Sequence, residues 1–183
     1  KAEISSSSAL TAGAAIDLEN LDGSKEYSVS VSLDGLAKDI TFNSKESFMA
    51  EIEKNFGEGF SYANGNIAYE TGDGISHKFV IQAAKNAYSD LSSSDKIARQ
   101  TESLKAIGIE GDGVSNKIRG THKLSDLNLK TALVGDNFSF EINGKSFSFG
   151  KDAKINDIVN AVNEAKVGAK MSFDEFSQKF VIS

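Results

Sequence analysis

From Tyr27 the chain alternates strictly, with Tyr27, Val29, Val31 and Leu33 separated by serines. A period of two places these apolar side chains on one face of a β-strand. Asp34-Gly35 follows, a pair suited to the positive φ angles of a tight two-residue turn, and a second run then ends in Ile40 and Phe42. The pattern next lengthens to helical spacing at Phe48, Met49, Ile52 and Phe56, with Asn43 and Glu46 spaced as a capping box and Gly57 and Gly59 as stops. Two more short strands are predicted around Phe60 to Tyr69 and Ile75 to Ile81, with Asn64-Gly65 and Asp73-Gly74 as turns. The order is β-β-α-β-β.

That order returns near the end of the sequence. Phe138, Phe140 and Ile142 alternate up to Asn143-Gly144, and Phe147 and Phe149 alternate after it, which predicts a hairpin with a type I′ turn. Ile155, Ile158, Val159 and Val162 then form a helical stripe, and VGAKMSF and KFVIS supply two strands around a DEFS turn. Setting Met49, Ile52 and Phe56 against Ile155, Ile158 and Val162 gives an offset of 106, against 109 between Gly35 and Gly144. The predicted fold is α+β, two related β-β-α-β-β units with antiparallel sheets packed on short helices. Between the copies, Ile97, Thr101, Leu104 and Ile107 predict a short helix. Leu124, Leu127 and Leu129 predict a helical turn capped near Thr121. The boundary is placed between Gly108 and Ser115, dividing the chain into domains 1–110 and 111–183. The opening ISSSSALTAGAA reads as a loop.

Composition narrows the function. A hydrophobic fraction of 39% in 183 residues is enough for a core, and a formal net charge of -6 without a lysine or arginine run argues against nucleic acid and anionic membranes as partners. No apolar run approaches the roughly 18 residues of a membrane span, and no signal peptide opens the chain. Cysteine is absent, removing disulfides, thiolate nucleophiles and cysteine metal sites, and proline is absent too. The chain opens at Lys1 without methionine and stops directly after an apolar run, so a longer parent protein is expected.

Candidate chemistry is sparse. His77 and His122 each lack a second histidine or cysteine at ligand spacing. Ser93 and Lys96 match S-x-x-K without the partner motifs of lactam hydrolases, and a serine run capping a helix explains them. Glu110 with Asp112, and Asp73 near Glu70, could lend oxygens to calcium, but the alternating ligand frame and its distal glutamate are missing. Asn137-Phe138-Ser139 is a formal sequon on a predicted strand. The phenylalanines at 138, 140, 147, 149, 173 and 180 read as core facing an amphipathic helix, ahead of a ligand platform. No catalytic, cofactor or metal residue is assigned.

The segments HKLSDLNL and FSFEINGKSFSFGKDAKINDIVNAVNEAKVGAKMSFDEFSQKFVIS carry a family resemblance. The ING hairpin, the helix ending in V-N, the VGAKMSFDE strand and the KFVIS strand resemble the hook IN motif of flagellins. With VSNKIRGTHKLSDLNL and YSVSVSLDGLAKDITF upstream, residues 26–183 resemble the middle domains of the flagellar filament-capping family, flagellar hook-associated protein 2. Lys154 stands where that family usually has a small polar residue. The resemblance implies a non-enzymatic, extracellular part of the plate of an oligomeric cap at the filament tip, with self and flagellin as partners and the anchoring coiled-coil legs lying elsewhere. An outer domain of flagellin and a surface adhesin domain binding host mucin or glycan are the competing readings.

Overall fold

The computed structural model describes residues 4–5, 10–127 and 137–183. In chain order its elements begin with β1 (Ile4–Ser5), β2 (Ala14–Ala15), β3 (Tyr27–Leu33), β4 (Leu36–Phe42), α1 (Lys45–Phe56), β5 (Phe60–Ala63), β6 (Asn66–Tyr69) and β7 (Phe79–Ala83). They continue with α2 (Ser93–Ala106), β8 (Gly113–Ser115), a 3-10 turn (Leu124–Asp126), β9 (Asn137–Ile142), β10 (Lys145–Gly150), α3 (Ile155–Glu164), β11 (Met171–Asp174) and β12 (Lys179–Ile182). The protein is α+β, with antiparallel strand pairing throughout the described sheets. It divides into a first unit, Gly13–Thr71 with His77–Asn116, and a second unit, Lys1–Ala12 with Gly72–Ser76 and Lys117–Ser183.

In the first unit β3 and β4 pair from Tyr27↔Phe42 to Leu33↔Leu36. Asp34 (φ 49°) and Gly35 (φ 87°) occupy the turn between them, the two positive angles a type I′ turn requires. Their hairpin belongs to a sheet ordered β4-β3-β7-β8, and a second sheet is ordered β2-β6-β5. The apolar face of β3 meets α1 in a core that holds Val29, Val31, Ile40, Phe48 and Ile52, each fully buried. The serine face of β3 is buried as well: Ser28 and Ser30 are enclosed, and α2 packs against β3 and β7. On that face Asp39 accepts hydrogen bonds from the backbone N–H groups of Lys85, Asn86 and Ala87, holding this segment over the sheet. Ser103 links the layers by accepting from Ser28 N–H at 3.2 Å and meeting Tyr88 Oη at 2.9 Å.

Ser30 has no such connection; its buried Oγ has no hydrogen-bond partner among the described residues. A buried hydroxyl without a partner carries its desolvation cost uncompensated. Ser30→Ala is therefore expected to raise stability by about 0.5–1.5 kcal/mol. Urea denaturation measures it, and a lower midpoint would show that the hydroxyl has a partner in solution.

The second unit repeats the plan. β9 and β10 pair from Asn137↔Gly150 to Ile142↔Lys145, with Asn143 (φ 48°) and Gly144 (φ 81°) in the turn. α3 lays Ile155, Ile158 and Val162 into the core, β11 pairs with β12, and β1 adds to β12 as β2 adds to β6. The buried helix positions Phe48 and Ile52 correspond to Ile158 and Val162 at an offset of 110, one residue from the hairpin offset. The sequence alignment at 106 is thus slipped by one helical turn. Periodicity alone leaves this ambiguous, because residues four apart share a helix face.

Other expectations shift with tertiary pairing. The stretch from Phe60 to Tyr69 is a complete hairpin, β5-β6, around Asn64 (φ 52°) and Gly65 (φ 75°). The strand expected from Ile75 starts only at Phe79, and Ile75 stands exposed. α1 is capped by Ser44 and Ser47 rather than Asn43 and Glu46: Ser44 Oγ accepts from Ser47 N–H and Ser47 Oγ accepts from Ser44 N–H. Gly57 (φ 74°) ends that helix as expected. In α2 Leu104 and Ile107 are buried, but Ile97 is 62% exposed and Ser103 takes the inward position. The turn near Leu124 is capped at Lys123, whose N–H donates to the Asp126 carboxylate, and Leu129 lies outside the described residues.

The domain boundary moves too. Gly113–Ser115 pairs with β7, so the first unit runs to Asn116 and not to 110. The opening segment is more than a loop: Ala12 and Ala14 are buried, Ile4–Ser5 pairs with Ile182 and Val181, and Leu10 N–H donates to the Gln178 carbonyl. Residues preceding the first unit thus belong to the second, which a linear reading of composition cannot show.

Candidate functional site

His77 stands edge-on to Tyr69, and its Nδ1 lies 2.7 Å from Asp34 Oδ2. The other Asp34 oxygen accepts from Lys78 N–H, so the carboxylate fastens the β3-β4 turn to the start of β7. His122 Nδ1 accepts from Arg119 N–H at 2.8 Å, closing a local turn. Ser93 lies in the first turn of α2 with Lys96 one turn on, and Ser92 is the residue that caps it, accepting from Asp95 N–H. Asp73 turns its carboxylate onto Ile75 N–H, while Glu110 and Asp112 are exposed ahead of β8. No three histidine, aspartate or glutamate side chains among the described residues gather to hold a metal ion.

In the second unit Asn137 and Ser139 lie on β9, where Ser139 Oγ donates to Ser148 Oγ across the hairpin. The phenylalanines form packed pairs, Phe140 stacking on Phe147 at 5.4 Å and Phe173 edge-on to Phe180 at 5.3 Å. Phe138, Phe140, Phe147 and Phe149 share one core with Ile158 and Val162 of α3. These phenylalanines pack between hairpin and helix, with Phe147 buried and the others half-buried.

Three carboxamides, Asn116 and Gln178 buried and Asn163 exposed, clamp backbone groups, and composition offers no sign of them. Asn116 Oδ1 accepts from Phe79 N–H at 2.9 Å and its Nδ2 donates to the His77 carbonyl at 2.8 Å. Asn163 does the same to both backbone groups of Met171, at 2.8 and 2.9 Å. Gln178, 2% exposed, accepts from Ile118 N–H at 2.6 Å and donates to the Ile118 carbonyl at 3.0 Å. An amide side chain matches a backbone edge because it offers one donor and one acceptor in a plane. The local signal that could have flagged Asn163 and Gln178 is a carboxamide beside an apolar register, next to Val162 and Phe180.

The V-N and ING residues acquire a physical reason here. Asn163 ends its helix by gripping β11, and Asn143 Nδ2 reaches 2.8 Å to the Val167 carbonyl in the same α3-β11 connection. α3 has no small polar cap: Lys154 N–H donates to Asp157, and the carbonyls of His122 and Gly120 accept from Ile155 and Asn156. Backbone acceptors thus supply what a serine or aspartate cap would give.

Two aspartates of the first unit are locally engaged. Asn20 and the Glu19 N–H, both donating to Asp17, hold its carboxyl below the ordinary value of 3.8, and Ser24 does the same to Asp22. A depressed folded pKa gives stability that is complete above the unfolded value and lost as pH falls through the folded one. Both groups are exposed, so solvent screening keeps the contribution small. The first unit also has an open groove of about 480 Å³ between α1 and the segment that follows it.

These features define an α+β protein whose polar side chains cap turns, clamp strand ends and tie loops. No protein-family model, no curated protein and no solved structure matches the chain. Among the described residues no helix is long and apolar enough to cross a membrane.

Proposed function

We propose that the chain is a non-enzymatic, structural module of the bacterial flagellar filament cap, working at the filament tip beside flagellin. The observation that carries this reading is the second unit's ING hairpin. Its turn residue Asn143 and Asn163 of α3 both bond to backbone of the α3-β11 connection, which ties the motif residues to one another. Hairpin-helix-hairpin units, each with its own core, suit the plate of an oligomeric cap, and the duplication gives two such units in one chain.

Immunogold labelling tests it. Antibody raised against this segment should mark the distal end of flagellar filaments on intact cells. Label along the whole filament would make the chain an outer domain of flagellin, and label on the cell body alone would remove the flagellar assignment.

A further inference from the structure

The groove in the first unit has an uneven lining, apolar at its floor and acidic at its rim. Glu46, Met49, Ala50 and Glu53 line it from α1, and Glu58 and Phe60 from the segment beyond Gly57. The α1 residues recur at helical spacing and so present a single face. Met49 and Phe60 are half-buried and form an apolar floor, while the three glutamates are exposed at its rim.

None of these three carboxylates pairs with a lysine or arginine among the described residues, and Lys45 of the same helix is drawn away to Glu19 at 3.1 Å. The groove therefore joins an apolar bed to a rim that is net negative. Lys45 feels Glu46 less than it feels Glu19, and Glu53 and Glu58 make no ion pair among the described residues. Among the described residues no three acidic groups converge there to hold a metal ion. An anionic occupant would be repelled by the rim, and a cationic one gains most from it.

The geometry points to an arginine-bearing, otherwise apolar segment of a partner protein as the ligand of this groove. Arginine's alkyl stem can lie along Met49 and Ala50 while its planar guanidinium meets the rim carboxylates. The volume of about 480 Å³ holds such a side chain with an apolar neighbour. Charge complementarity sets the preference for this partner, and salt will weaken it. The inference is independent of the flagellar reading, because binding is read on the isolated chain.

The probe is a blocked pentapeptide alternating leucine and arginine, titrated into the isotope-labelled protein and followed by amide chemical shifts. Saturable shifts confined to residues 46–60 are expected, with affinity at least tenfold weaker in a Glu53→Gln, Glu58→Gln double variant whose melting temperature is unchanged. The same peptide with glutamate for arginine should not bind. Equal binding by the double variant, or shifts that never saturate, would overturn the proposal. Shifts of these residues with protein concentration alone would also overturn it, by making a second copy of the chain the occupant.

Discussion

Gln178→Leu is expected to destabilise the second unit by about 2–5 kcal/mol, the largest effect of any substitution considered for this protein. Its Oε1 is the acceptor for Ile118 N–H and its Nε2 the donor to the Ile118 carbonyl, with a third bond at 2.7 Å to the Glu175 carbonyl. Ile118 is fully buried, so leucine would strand a donor and an acceptor where water cannot replace the lost partner. Gln178 also has a positive φ of 58°, a conformation that asparagine tolerates better than most residues. Gln178→Asn consequently separates the two effects, since it favours the backbone angle but is a methylene too short to reach Ile118. Chemical denaturation of both variants is the measurement. If Gln178→Asn is as stable as the parent, the clamp contributes no more than the backbone angle returns.

In the first unit Gly113→Ala should cost about 1–3 kcal/mol. Gly113 pairs with Gln82 at the edge of the β4-β3-β7-β8 sheet, and a Cβ at this position would overlap the Ile81 carbonyl oxygen. That atom belongs to the neighbouring strand's backbone and cannot rotate away as a side chain would. The alanine variant must therefore move β8 off β7, weakening the pairs Ile81↔Val114 and Val80↔Ser115. Hydrogen exchange should show lost protection at residues 79–83 and 113–115, ahead of any change in β3 and β4. Unaltered protection there would mean that the strand accommodates a methyl group.

Much of the local architecture was legible because it rests on nearest-neighbour chemistry. Asp34-Gly35, Asn64-Gly65 and Asn143-Gly144 all take positive φ angles, and each closes a two-residue turn. Alternation set which side chains of β3, β9 and β10 face the core, and helical spacing found α1 and α3. The candidate groove was not legible, since Glu46 and Glu53 look like an ordinary solvated helix face until Glu58 and Phe60 are brought beside them. The capping pair of α1 was misplaced by one residue because Asn43, Ser44 and Ser47 offer competing side-chain oxygens within one turn. Only the extended conformation of Ser44, φ -151° and ψ 165°, selects it as the cap.

The sequence by itself determined most of the elements: the hairpins and helix of each copy, the turns at Asp34-Gly35, Asn64-Gly65 and Asn143-Gly144, and that the plan occurs twice, but not β1, β2 or β8. Those properties depend on φ preferences and on periods of two and 3.6 residues, which act over a few bonds. Tertiary structure alone decided that the serine face of β3 is buried, that residues before Gly13 belong with the carboxy-terminal unit, and that Asn116, Asn163 and Gln178 clamp distant backbone. A serine is compatible with water or with a polar layer, and a carboxamide with solvent or with a strand edge. The choice between them is made by what the chain brings opposite, and residues 60 positions apart, such as Ile118 and Gln178, meet only when the whole unit closes.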